Sequence, residues 1–314
     1  MHPAFSVIFL TTLIGAGQGL FIALCVAELG AVLGAWAMPR GPYFALGCVL
    51  SLCLLGAGLL ASFFHLGRPE RAWRSAAMWR TSWLSREVIV LPAFMAAVAA
   101  FGLAHYLRGA GDLTLALGAA GLILALLLFI CTGMIYACIQ FLQEWHTPLT
   151  VINYTLFGCA SGFLLGTAWA AALAPSLVAA LALWTAAFTL AALVTRLASL
   201  ARNARLRPKS TLQTAIGVKH PRIAQKSEGF MGGSFNTREF FHARTLAWLR
   251  GVKWLFLLLV FPLPLALLAA GVALASWPVL ASAFGLQYLG LLAERWYFFA
   301  QAKHPQNLYY QAIS

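Results

Sequence analysis

The chain has 314 residues, of which 62% are hydrophobic and 9% are charged, whereas soluble domains are about 45–50% apolar and about 25% charged. With a mean hydropathy of +0.84, this composition excludes a soluble globular protein and a disordered chain. The net charge of +13 is typical of nucleic-acid-binding proteins and equally of inner-membrane proteins with basic loops. The long apolar runs favour the membrane, and we expect no nucleic acid partner.

Eight stretches of the chain are long enough to cross a bilayer, which requires about 20 apolar residues in a helix. These runs are far longer than the alternating strands of about ten residues found in membrane barrels. We therefore predict an all-α integral membrane protein, in which residues 1–314 form one bundle of eight transmembrane helices. The predicted spans are Phe5–Leu33, Tyr43–Leu66, Val88–Leu107, Leu113–Leu142, Leu149–Leu173, Ser176–Ser199, Val252–Trp277 and Pro278–Ala302.

The distribution of positive charge predicts the orientation of the bundle. The short connection after the second span carries five arginines, whereas the connections after the first and third spans carry Arg40 and Arg108. Because positively charged short loops stay on the cytoplasmic side, both termini should be cytoplasmic. The long basic loop at about 202–250 should lie on that side too. The location predicted is the bacterial inner membrane, with multiple passes.

Glycines and prolines within the spans predict helix packing. Gly158, Gly162 and Gly166 repeat every four residues, so that one face of the fifth span allows close approach of another helix. Pro262 and Pro264 remove backbone donors in the middle of the seventh span and predict a kink there.

The cysteines and histidines do not predict a metal centre. All six cysteines fall inside predicted spans, and none makes the Cys-x-x-Cys spacing of zinc or iron–sulfur sites. We expect buried free thiols, which behave as small hydrophobic side chains. No two histidines lie well inside the bilayer at matching depth, so we expect neither haem nor another metal.

Four Asp, Glu, Lys or Arg residues lie inside the predicted spans and more than two residues from either end, where charge is costly and usually functional. The sequence leaves two interpretations open: a proton path, or a buried ion pair in which Glu294 is paired with Arg295 or Arg196. The four are Glu28, Arg196, Glu294 and Arg295.

A dense polar and aromatic segment begins where the second span ends, at His65, and continues to Glu87. A quinone entering from the lipid needs a hydrogen-bond donor for its carbonyl and a group that exchanges protons near neutral pH, which a histidine provides. The alternative is an interfacial anchor whose arginines bind lipid phosphate, and chemistry alone leaves both open. The candidate quinone-site residues are His65, Arg71, Trp79, Arg80, Trp83 and Glu87.

The segment resembles the signature of the dimethyl sulfoxide reductase anchor subunits. The resemblance rests on His65-Leu66-Gly67, Pro69, Arg71, Ala72, Ser82, Leu84, Ser85 and Glu87, and the eight-span layout and the Glu294-Arg295 region are also similar. It implies a haem-free anchor that binds ubiquinone or menaquinone, with His65 as the quinol-site histidine. The implied partners are an iron–sulfur (ferredoxin-like) subunit and a molybdopterin catalytic subunit, so that this chain would carry a quinone redox site but no substrate catalysis of its own.

Two features depart from the plain family pattern and resemble the anchors of membrane-bound sulfite dehydrogenases within the same family. They are the stretch Gly217-Val218-Lys219-His220-Pro221-Arg222 and the tail Lys303-His304-Pro305-Gln306-Asn307-Leu308-Tyr309-Tyr310. This favours sulfite oxidation, with electrons flowing to quinone, over a quinol-oxidising reductase. Partner docking is expected at Arg68, Arg74, Lys219, Arg222 and Lys303.

A secondary transporter is the alternative from another class, because a kinked helix and buried charge suit one. A transporter should have interrupted helices at corresponding positions of both halves. The third span has no pair of prolines to match Pro262 and Pro264, which disfavours this interpretation.

Overall fold

The computed structural model describes residues 1–224, 226 and 240–308. Every regular element in that part of the chain is helical, as the composition predicts. The helices are α1 (Phe5–Val32), α2 (Gly41–Phe63), α3 (Trp83–Arg108), α4 (Asp112–Ala137), α5 (Pro148–Leu173), α6 (Val178–Ala204), α7 (Leu212–Ile216), α8 (Leu246–Val260), α9 (Pro262–Ala273) and α10 (Trp277–Ala300). Short 3₁₀ helices cover Pro69–Ala76, Pro175–Leu177 and Pro305–Leu308.

Seven candidate membrane spans, identified by length and composition, occur in the described residues. They correspond to α1 to α6 and to the pair α8–α9, and thus to the first seven predicted spans. The last helix, α10, has 24 residues but is more polar, with Gln287, Glu294 and Arg295 in its interior, and is not among the seven. The eighth span therefore stays a prediction.

Several helix boundaries differ from their predicted positions. Helix α3 begins at Trp83 rather than Val88, because the Ser82 hydroxyl accepts a hydrogen bond from the Ser85 amide and caps the helix. Helix α4 ends at Ala137 rather than Leu142, since the apolar residues that follow form a buried turn packed on the end of α10. Helix α8 begins at Leu246, six residues before the predicted start of the seventh span.

The predicted kink in the seventh span is a complete break. Helix α8 ends at Val260 and α9 starts at Pro262, with Phe261 at φ −114° and ψ −78° between them. The Gln287 side-chain amide donates to the Val260 carbonyl oxygen at 3.2 Å and so satisfies an acceptor freed by the break. By contrast, α3 continues through Pro92 without interruption, so that the break has no counterpart in the other half of the bundle.

The predicted glycine face brings α5 into backbone contact with α1, which lies at the centre of the bundle. Gly158 and Gly162 meet Gly19 so closely that a Cβ atom added to Gly19 or to Gly162 would overlap the opposing main chain. Gly15 also faces Gly158, and Gly166 faces Ala23. Small residues spaced by four on both helices make this approach possible.

We expect Gly162→Leu to destabilise the bundle by more than about 3 kcal/mol, beyond the usual range for an overpacked core. The side chain would have to separate two main chains rather than displace a side chain. Gly285→Leu in α10 is the matched control, because a Cβ atom there meets nothing within 4 Å. Thermal unfolding in detergent compares the two variants, and equal melting temperatures would contradict the predicted role of the α1–α5 contact.

Candidate functional site

The predicted quinone-site residues lie at the end of the bundle where α2 ends and α3 begins. The chain leaves α2 after Phe63, makes the 3₁₀ helix Pro69–Ala76, and enters α3 at Trp83. We call residues 64–82 the His65 loop. His65, Arg71, Trp79 and Arg80 in this loop are exposed, and Arg71 makes a long ion pair with Glu70 at 3.9 Å.

The His65 imidazole is available for a ligand. Among the described residues, no hydrogen bond or ion pair joins it to Arg71, Trp79, Arg80 or Glu87. Although the residue is exposed, partial burial lowers the pKa of His65 below its ordinary value of 6.5. The imidazole is therefore neutral at pH 7, with one nitrogen able to donate and the other able to accept.

Arg86 fixes the last turn of the His65 loop, a role that the sequence analysis missed. Its Nε donates to the Trp79 carbonyl oxygen at 2.9 Å, and its Nη2 donates to the Arg80 carbonyl oxygen at 2.8 Å. The guanidinium also lies 4.2 Å from the centre of the Trp83 ring, within cation–π range. Arg86 thus holds the main chain of the loop against the start of α3.

Trp83 and Glu87 differ from the other predicted site residues because they turn away from the loop. Trp83 is half-buried and packs on the main apolar core. Glu87 is 8% exposed, and its carboxylate accepts a hydrogen bond from the Thr132 hydroxyl of α4. His65, Arg71, Trp79 and Arg80 thus share one exposed loop, whereas Glu87 lies inside the bundle.

Two small cavities lie along the contact between α1 and α5, and the first of them reaches Glu87. The first has a volume of about 10 Å³ and is lined in part by Glu87, Gln18 and Tyr154. The second has a volume of about 20 Å³ and extends from Tyr154 to Arg295. Both are lined mainly by apolar groups with a few polar ones, and each has room for at most about one water molecule.

The cavity near Arg295 adjoins a buried ion cluster, formed by Arg196, Glu294 and Arg295. Arg196 Nη2 lies 2.7 Å from Glu294 Oε1, and Arg295 Nε lies 2.6 Å from Glu294 Oε2. All three side chains are at most 4% exposed, and the Arg295 guanidinium also lies 4.0 Å from the centre of the Tyr154 ring. Glu294 is thus paired with both of the arginines that the sequence offers as partners.

Glu28, the fourth ionisable residue within the predicted spans, lies at the opposite end of the bundle. Its Oε1 atom is 3.2 Å from His105 Nε2 and accepts a hydrogen bond from the Thr114 hydroxyl. His105 stacks on Phe44, with 4.2 Å between ring centres. The pairing of Glu28 with His105 was not predicted, since nothing in the sequence joins these two residues.

The predicted docking residues follow helices that end on the His65 side of the bundle. All five are exposed, namely Arg68, Arg74, Lys219, Arg222 and Lys303. Two hydrogen bonds join the ends of α6 and α10 through the α4–α5 connection. Trp145 Nε1 donates to the Phe298 carbonyl oxygen at 3.0 Å, and Arg202 Nη1 donates to the Gln143 carbonyl oxygen at 3.0 Å. Gly229–Phe235 in the basic loop lies outside the described residues.

All six cysteines are free. Cys53 and Cys138 are exposed, while the other four are buried among apolar side chains. Among the described residues, no group of three or more His, Cys, Asp or Glu side chains is arranged to hold a metal ion.

Comparison with known proteins relates the chain to a family and to a similar protein. The family model described as "DMSO reductase anchor subunit (DmsC)" matches residues 1–223, a range that contains the His65 loop and stops before Glu294. A subunit of the sulfite dehydrogenase of Allochromatium vinosum is 55% identical over 325 aligned positions, which cover 100% of both chains. That alignment includes the basic loop and the tail from Lys303.

Proposed function

Because the chain belongs to the DMSO reductase anchor subunit family and is a multi-pass membrane protein, we propose that it is the quinone-binding anchor of a sulfite dehydrogenase. It would pass electrons from an iron–sulfur subunit to the quinone pool of a bacterial inner membrane. The observation that carries this proposal is the 55% identity over the full length of both chains. A molybdopterin subunit would oxidise sulfite to sulfate, and ubiquinone or menaquinone would take up two electrons and two protons.

We place the quinone head group at the His65 loop. His65 offers a hydrogen-bonding imidazole without a partner among the described residues, and the neighbouring guanidinium groups of Arg71 and Arg80 favour negative charge on a reduced ring. Trp79, held by Arg86, offers an exposed indole 52% accessible to solvent, a flat surface for a ring at the membrane interface. Trp83 supports this surface from the core side.

His65 would transfer protons as well as bind the ring. A lowered pKa makes the imidazolium form a stronger acid, which gives up its proton readily to an oxygen that has gained electron density. The exposed loop allows water to return that proton to the imidazole. Glu87 lines the first of the two small cavities, and we propose that it supports the site from within, through Thr132 and α3.

The buried ion cluster supports the site as a fixed structural element in this proposal. Glu294 pairs with Arg196 at 2.7 Å and with Arg295 at 2.6 Å. The pair with Arg196 joins α6 to α10 close to the end of the bundle that carries the docking residues. We assign these three residues to the ion pair rather than to a proton path.

We propose that the exposed basic residues form a docking surface for the iron–sulfur subunit on the cytoplasmic side. Arg68 and Arg74 lie in the His65 loop, Lys219 and Arg222 in the basic loop, and Lys303 after α10. Charged patches of one sign guide association and orientation. Docking beside the His65 loop would bring the terminal cluster of the partner close to the quinone.

The proposal is tested on membranes from cells with and without this chain. Sulfite-dependent quinone reduction should fall to the background level without the chain and return on complementation. Sulfite oxidation with a soluble artificial acceptor should persist, but in the soluble fraction. Unchanged quinone reduction without the chain would contradict the proposal, and a loss of quinol-dependent dimethyl sulfoxide reduction instead would assign the chain to a reductase.

A further inference from the structure

A large cavity lies away from the His65 loop, between the ends of α6, α8 and α10. Its volume is about 600 Å³, within the range of small-molecule sites, about 300–1,000 Å³. Leu200 of α6, Leu249 of α8 and Tyr297 of α10 form apolar walls, and the tail from Lys303 also lines it. None of the residues assigned to the quinone site lines this cavity.

The charged side chains of the cavity favour an anion. Among the described residues, Lys209, Lys253 and Lys303 line it together with a single carboxylate, that of Glu144. His242 is also part of the wall; burial lowers its pKa, and its Nδ1 accepts a hydrogen bond from the Arg244 amide at 3.2 Å. The imidazole is therefore neutral at pH 7, and the net positive charge comes from the lysines.

The position of the cavity along the helices matches the level of lipid headgroups. Trp248 and Trp254 of α8 are 54% and 65% exposed, and Lys253 is next to Trp254 in the chain. Exposed indoles at the end of a membrane helix mark the interface between water and hydrocarbon. Lys253 thus lies near the depth of the lipid headgroups, and Leu249 and Leu200 line the same cavity.

We propose that this cavity is a binding site for one anionic phospholipid, with the phosphate at Lys209 and Lys253 and an acyl chain against Leu249 and Leu200. Basic pockets between membrane helices on the cytoplasmic side bind such headgroups. A bound lipid would fill the space between α6 and α8 and tie the basic loop to the bundle. The chemistry recognised is a phosphate ester attached to a hydrocarbon chain.

The test compares lipid retention by the purified full chain using native mass spectrometry. After delipidation and titration with phosphatidylglycerol, the wild-type chain should retain one lipid molecule. The double variant Lys209→Gln with Lys253→Gln should bind about 30-fold more weakly, since each lysine near a membrane surface contributes roughly a fivefold factor. Arg40→Gln with Arg108→Gln removes the same amount of charge at the opposite end of the bundle and should bind as the wild type does. Lys303 is left unchanged because of its proposed docking role.

A second variant separates lipid from free phosphate. Leu249→Trp keeps every charge but fills the apolar wall, so it should weaken phosphatidylglycerol binding and leave inorganic phosphate binding unchanged. Equal retention of phosphatidylglycerol by the wild type and the lysine variant would overturn the proposal. Equal retention of phosphatidylcholine, displacement by inorganic phosphate alone, or a quinone in place of lipid would overturn it as well. Unchanged melting temperatures establish that each variant is folded.

Discussion

Replacing Glu294 with alanine should prevent stable folding of the bundle, at a cost of about 3–5 kcal/mol. The carboxylate is fully buried between Arg196 Nη2 at 2.7 Å and Arg295 Nε at 2.6 Å. Its removal leaves two guanidinium groups in the interior with no acidic partner among the described residues. An unpaired buried charge is far more costly than the loss of the pair itself, because the arginines cannot recover their hydration.

The matched variants for this prediction separate charge from volume. Glu294→Gln keeps the shape and one acceptor oxygen, so it should be less damaging than alanine but still strongly destabilising. Arg196→Met combined with Glu294→Gln should restore part of the stability, since one buried cation is removed together with its partner. Glu70→Ala removes an exposed carboxylate and should change stability by less than about 0.5 kcal/mol. Melting temperatures in detergent decide the order, and a Glu294→Ala variant as stable as Glu70→Ala would contradict the role of the cluster.

The spans and helix contacts of this fold were predictable because bilayer thickness and helix geometry act on short stretches of chain. The glycine face of α5 and the break at Pro262 follow from residue type at fixed spacing, and both were confirmed. The end of α4 was not predictable in the same way. Hydropathy is equally high for apolar residues in a helix and in a buried turn, so it does not reveal that Leu142 and Trp145 pack beyond the helix end.

The residues of the candidate site could be predicted from the sequence, but the side of the helix on which each side chain lies in the bundle could not. Trp83 and Glu87 are four residues apart and share one face of α3, and the sequence does not show that this face is turned toward the core. The partner of Glu87, Thr132, lies 45 residues away in the chain, and that of Glu28, His105, is two spans away. Contacts of this kind depend on the rotation of each helix in the bundle, which a single sequence does not contain.

Replacing His65 with alanine should reduce quinone-linked turnover by about 10²–10⁴-fold, the usual contribution of a general acid–base group. Turnover with a soluble artificial acceptor in the assembled complex should be unchanged, because sulfite oxidation takes place in another subunit. His65→Arg should fail as well, since a guanidinium donates hydrogen bonds but does not release its proton. His220→Ala, at an exposed histidine of the basic loop, is the control and should have no effect. Normal quinone turnover in the alanine variant would move the quinone site away from the His65 loop.

The pH dependence distinguishes proton transfer by His65 from a purely structural role. The pKa of His65 is lowered by partial burial, so the imidazolium form disappears at a lower pH than it would for a free imidazole. If proton delivery by His65 limits quinone reduction, the wild-type rate should decline as pH rises through that lowered pKa. His65→Gln keeps a hydrogen-bond donor but has no proton to exchange, so its residual rate should lose this decline. A variant with the wild-type pH profile and a reduced rate would mean that His65 positions the ring without carrying its proton.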